Sequence, residues 1–168
     1  MYALAYNEEM EHVANSEQLE QSERSDRMQP LVFLDTNVII GYLQGDPSAT
    51  QLFSAEADGR IRFAVNGIVL QELILAGDAV GRPEFEGIID RLRVLPEDLA
   101  KAEALLPRVR ALRALRNRLA HPNDILIVSS ADECDFLVTS DVLLKKLVTS
   151  GKPQVVTPEE LATHLRAA

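Results

Sequence analysis

Asp35, Glu72, Asp124 and Asp141 each stand where an acid is costly. Asp35 ends the apolar run LVFLD, Glu72 interrupts VLQELIL, Asp124 opens PNDILIVSSA, and Asp141 closes FLVTSD. A carboxylate set against buried chain needs compensation. A divalent cation is the simplest compensation for several carboxylates at once. Four carboxylates with no cysteine nearby describe a hard oxygen site, which favours Mg2+ or Mn2+ over Zn2+. Mg2+ joins protein carboxylates to phosphate oxygens, so the matching chemistry is phosphodiester hydrolysis. The ion lowers the pKa of a water, orients it for in-line attack and offsets charge in the transition state.

Each acid alone has a plainer reading. Asp124 follows Pro122 and Asn123, a helix start where an acid meets the helix dipole favourably. Asp141 could cap the VLLKKL helix, and Asp35 a helix beginning near Asn37. Glu72 could face solvent beside Gln71. All four plain readings would have to hold at once, and a shared site is the favoured reading.

A shared site needs elements that bring the four together. LVFLD reads as a strand, followed by a helix that Gly45, Asp46 and Pro47 interrupt. Ser48 can cap a second helix through Ala57, with Gly59 as its stop. Arg60 to Val65 is a strand, and Asn66 caps a helix whose apolar residues Ile68, Val69, Leu73 and Ala76 recur at helical spacing. A helix from Pro83 to about Arg91 leads to the strand LRVL. Glu97 to Leu119 is helical in pattern, as two helices meeting near Pro107. Pro122 suits the first turn of a helix through Ala131. FLVT, a helix from Asp141 to Val148, QVVT and a helix from Pro158 to Leu165 complete the chain. Strands separated by helices imply parallel crossovers and a three-layer α/β/α sandwich. In such sheets sites form at the carboxyl ends of the strands. Asp35 and Asp141 both lie at such ends.

The order LDTN, VLQEL, PNDILIVSSA and LVTSD resembles the PIN-domain ribonucleases. It is especially similar to the toxin halves of prokaryotic VapBC-like toxin–antitoxin pairs. The resemblance runs from Leu31 to Leu165. It implies a parallel, five-stranded sheet, with residues 31–168 as the nuclease domain and 1–30 as an acidic tail outside it. It also implies that Asp35, Glu72, Asp124 and Asp141 are the catalytic and metal-binding acids of an RNA endonuclease using Mg2+ or Mn2+. Thr36 and Asn37 follow the first acid as the family pattern expects. Thr139 matches a hydroxyl that supports the site by hydrogen bonding, with Ser140 beside it. An antitoxin partner and a homodimer are further implications. Asp132 and Asp135 crowd the last acid and are read as solvated.

Bulk properties fit these expectations. The 168 residues suffice for one well-cored domain, with 46% apolar and 26% charged residues. Cys134 is the only cysteine, which excludes an internal disulfide and argues against cysteine-based zinc. No apolar run suits a membrane span, and a cytoplasmic setting is expected. The net charge of −9 is uneven: residues 1–30 hold seven acids and two bases. Two readings of that segment stay open, a genuine tail or a stretch ahead of a start at Met28. Between Lys101 and Arg118 lie six bases and one acid. Arg110, Arg113 and Arg116 recur at three-residue steps along one helix face, and Arg113 and Arg116 are the candidate RNA contacts. His121 is expected to be a surface or capping residue, His164 lies remote in sequence on a terminal helix, and no glycine pattern suits a nucleotide loop.

Two other functions compete. One is a PIN-like protein-interaction module without catalysis, against which the presence of all four acids argues. The other is a phosphatase using a nucleophilic Asp with a second Asp two residues on. That second position is Asn37 here.

Overall fold

The computed structural model describes residues 29–77, 82–116, 122–148 and 151–167; the side chains of 77–85 and 113–122 are outside the description. The proposed tail therefore lies almost wholly outside the described residues, as does His121.

Five strands form one sheet: β1 (Leu31–Leu34), β2 (Arg62–Asn66), β3 (Leu92–Leu95), β4 (Phe136–Val138) and β5 (Gln154–Val156). Their order is β3-β2-β1-β4-β5 and every pairing is parallel. Among the described residues the helices are α1 (Thr36–Leu43), α2 (Pro47–Ala57), α3 (Gly67–Gly77), α4 (Arg82–Ile89), α5 (Leu99–Arg116), α6 (Pro122–Ala131), α7 (Val142–Leu147) and α8 (Pro158–Ala167). All four β1 side chains are buried. Successive strand residues point to opposite faces, so both faces of the sheet are covered, as parallel sheets require. Val32, Phe33 and Leu34 are wholly excluded from solvent, each contributing about 1.5–3 kcal/mol through burial. Among the helices, α2 packs on α8, while α5, α6 and α7 pack together and α3 bridges α1 and α6. This is the expected three-layer α/β/α sandwich. No described helix is long and apolar enough to cross a membrane.

Several local expectations shift. The cap of α2 is Asp46, whose Oδ1 accepts from Ala49 N at 2.8 Å, and not Ser48. Pro47 has no N–H to lose and takes the first helical position, which moves the cap one residue earlier than Pro47 itself. Gly59, at φ 69°, ends α2 in the left-handed region that glycine enters freely. Instead of breaking at Pro107, α5 runs through it as one helix. The proline removes one backbone bond, but buried Ala102 and Val109 hold the helix to the core on either side.

Asp132 and Asp135 are less solvated in role than expected. Asp132 pairs with Lys101 at 3.0 Å. Asp135 accepts from Leu31 N at 2.8 Å and pairs with Lys152 at 3.0 Å. It thereby ties the amino ends of β1 and β4 together, at the far end of the sheet from Asp35.

Candidate active site

The chain leaves β1 to build β2 and β3 on one side, then returns to place β4 on the other. The strand order therefore reverses between β1 and β4, and an open parallel sheet forms its crevice at such a point. Leu34 and Val138 are register partners. One residue further along each strand come Asp35 and Thr139, so the register itself makes them neighbours. Asp35 N donates to Val138 O at 3.1 Å, and Thr139 N to Val156 O at 3.0 Å.

Asp35 occupies the cap position of α1, yet its side chain makes no capping bond. It turns instead to Thr139, whose Oγ1 donates to Asp35 Oδ2 at 2.6 Å. The same hydroxyl oxygen accepts from Asp141 N at 2.9 Å. Both Asp35 and Thr139 are only 4% exposed. Asp141 does cap α7, with Oδ1 accepting from Leu143 N at 2.6 Å. Its capping role and its place beside Asp35 are compatible, because α7 starts at the carboxyl end of β4.

Glu72 arrives from the other side of β1. It lies on α3, which Asn66 starts as expected: Asn66 Oδ1 accepts from Val69 N at 3.1 Å. Buried Val69 and Leu73 face the core, leaving Glu72 half-buried on the flank toward α1. It does not face solvent with Gln71. Thr36 Oγ1 donates to Glu72 Oε2 at 2.5 Å, and Asn123 Nδ2 donates to Glu72 Oε1 at 2.8 Å.

Two short relays of hydrogen bonds therefore join at the Asp35–Thr36 step. One runs from Asp141 through Thr139 to Asp35, the other from Thr36 through Glu72 to Asn123. Asp124 follows Asn123 in the first turn of α6 and is half-buried. Asn37 and Ser140 are exposed, and among the described residues the side-chain hydrogen bonds of Asp35, Glu72 and Asp141 go to other partners. Arg113 and Arg116 fall on α5, but their side chains lie outside the described residues. Asn123 was legible only as a helix-start residue; its contact with Glu72 depends on α6 meeting α3.

Burial drives the Asp35 carboxyl above its usual range. The Thr139 hydroxyl and the Thr36 backbone N–H oppose this, while the charges of Glu72 and Asp141 add to it. Among the described residues no Lys or Arg forms an ion pair with Asp35, Glu72 or Asp141. Nor do three His, Cys, Asp or Glu side chains there stand close enough to hold a metal ion as they are. The donor chemistry fits a hard divalent cation nevertheless: oxygen donors only, a buried carboxylate, and repulsion of Asp35 by Glu72 and Asp141. Cys134 contributes nothing to such a site. It is fully buried on another part of the core, and burial pushes its thiol up to about 12.

A parallel α/β sandwich with carboxylates at the switch point of its sheet defines a class of acid-lined domains. The PIN domain family model matches residues 32–148, and the chain belongs to that family. Similar solved structures include the DNA-bound VapBC of Salmonella typhimurium, at 25% identity and a TM-score of 0.54, spanning 78% of this chain and 99% of that one. VapBC-1 of nontypeable Haemophilus influenzae gives 21%, 0.55, 76% and 98% in the same order. VapBC2 of Rickettsia felis, bound to a promoter DNA fragment, gives 21%, 0.54, 76% and 98%. No curated protein sequence matches significantly.

Proposed function

We propose that the chain is a metal-dependent endoribonuclease hydrolysing RNA phosphodiester bonds, and that it is the toxin of a toxin–antitoxin pair. The observation that carries this is Asp35: a buried carboxylate at the sheet's switch point, repelled by Glu72 and Asp141 and paired with no described cation. Asp35, Glu72, Asp124 and Asp141 would hold Mg2+ or Mn2+. When bound, such an ion offsets phosphate charge and lowers the pKa of the attacking water.

The protein's own residues fix the geometry. Thr139 holds Asp35 in one rotamer and ties the Asp141 backbone to it. Thr36 and Asn123 hold Glu72 by both oxygens with neutral donors, which leaves its negative charge available. The hydroxyls and the amide carry no net charge, so none of them competes with a cation. Arg113 and Arg116, on the helix that precedes Asp124, would meet RNA phosphates. Cytoplasmic RNA is the expected substrate.

Another similar solved structure, from Klebsiella pneumoniae, is described as a toxin–antitoxin complex. Ile74 and Leu75 on α3, close behind Glu72, and Val142 on α7, next to Asp141, are large apolar residues mostly open to solvent, and contact with an antitoxin would cover them. A homodimer is the expected form of the toxin.

The test is cleavage of RNA by the purified chain with Mg2+ or Mn2+, with fragment ends mapped. Activity is expected in the wild type and absent in Asp35→Asn. Equal activity in both would overturn the assignment of the site, and an inactive wild type that takes up no divalent ion would overturn the nuclease reading.

A further inference from the structure

We infer that Asn123 is a positioning residue of the acid site, acting through Glu72. The inference rests on the metal-dependent reading above. Glu72 is held from two directions by segments far apart in sequence: Thr36 from the start of α1 and Asn123 from the start of α6. A glutamate has three rotatable side-chain bonds, and a single partner leaves it free to pivot. Donors on both oxygens fix the carboxylate plane.

The choice of an amide matters. A Lys or Arg in this place would also donate, but its charge would satisfy Glu72 and compete with a bound cation. Asn123 donates without neutralising. Its side chain also serves Glu72 where a residue at a helix start commonly bonds its own backbone. The same bond draws the first turn of α6, which carries Asp124, against α3. Asn123 thus links two of the acids that sequence assigns to the site.

The bond is separable from the fold. The body of α6 is fastened independently by Asn66, whose Nδ2 donates to Leu126 O at 3.2 Å and Ser130 Oγ at 3.1 Å. Ser130 Oγ in turn donates to Pro96 O at 3.1 Å. Buried Ile125, Ile127 and Val128 add apolar anchorage. Removing the Asn123 amide therefore loosens Glu72 while α6 stays in place.

The experiment is a double-mutant cycle on Mn2+ binding by the full chain, read by calorimetry, with wild type, Asn123→Ala, Glu72→Gln and the double variant. Far-UV circular dichroism and melting in chelator report the fold. Partners that orient a ligand typically change metal affinity by 10–100-fold, so Asn123→Ala is expected to weaken Mn2+ binding by at least about tenfold. In the Glu72→Gln background the same substitution should cause no further loss. Unchanged affinity in Asn123→Ala overturns the inference. So does an equal loss in both backgrounds, which would mean a role independent of Glu72. An Asn123→Ala chain that fails to fold also overturns it, since Asn66 would then not suffice to hold α6. Wild type that binds no Mn2+ removes the metal-dependent reading itself, and this inference with it. A wild type that binds while Asn123→Ala matches it removes this inference alone.

Discussion

Replacing Thr139 by valine removes one hydroxyl and with it two bonds at the heart of the site. The hydroxyl donates to Asp35 Oδ2 at 2.6 Å and accepts from Asp141 N at 2.9 Å, in a residue 4% exposed. A hydrogen bond to a charged group contributes about 1.5–3 kcal/mol and an ordinary one about 0.5–1.5 kcal/mol. The bonds share one oxygen, so their effects do not simply add. The new buried methyl returns about 0.8 kcal/mol. The net loss is about 2–3 kcal/mol, a fall in Tm of about 5–10 °C for a domain of this size. Thr139→Ser keeps the hydroxyl and loses only a methyl, costing about 1 kcal/mol. The assay is thermal melting of both variants in chelator across a pH series. The bond from Thr139 favours ionised Asp35, so the valine penalty should be largest at neutral pH. It should shrink as acid protonates Asp35 on passing its raised native pKa. Valine as stable as the wild type, serine as damaged as valine, or a penalty that grows with acid would each refute the reasoning.

Three other perturbations test the same physics. Asp35→Asn should be more stable than the wild type at neutral pH in chelator, by urea unfolding. Burial raises the native pKa of Asp35, so its stabilising contribution exists below the unfolded pKa and is lost as pH rises through the native one; the advantage of the variant should therefore close on acidification. Asp135 has the opposite sign: burial pushes it up, but the Leu31 N–H and Lys152 outweigh that and hold it low. Its contribution, about 1 kcal/mol at a partly exposed site, is present above the unfolded pKa and lost as pH falls through the depressed one. Asp135→Asn should therefore flatten the acid limb of the stability curve, and an unchanged limb would count against the Leu31 anchor. Cys134, buried with its thiol pushed up to about 12, should resist a thiol reagent in the folded chain and react at once in denaturant; rapid labelling of native protein would contradict its place in the core.

How much of this was legible in the sequence depends on the range of the interaction. Strand and helix order followed from short apolar runs, because a four-residue strand buried on both faces leaves a continuous apolar signature. The Asn66 cap and the Pro122 start were readable for the same reason: each is settled within a few residues. Asp46 was missed as a cap because Pro47 decides the first helical position by what it lacks, and Pro107 was misread because buried neighbours outweigh a proline's local preference. Thr139 was nameable through family resemblance, but its double bond to Asp35 and Asp141 needs the β1–β4 register. Asn123 carried no signal beyond its helix-start position. The partner it serves lies 51 residues away on α3, and no periodicity connects them. An acid can be suspected from its own surroundings, since a charge among apolar residues is locally anomalous. A neutral amide is unremarkable anywhere on a helix start, so residues that orient the acids become visible only once two helices are seen to meet.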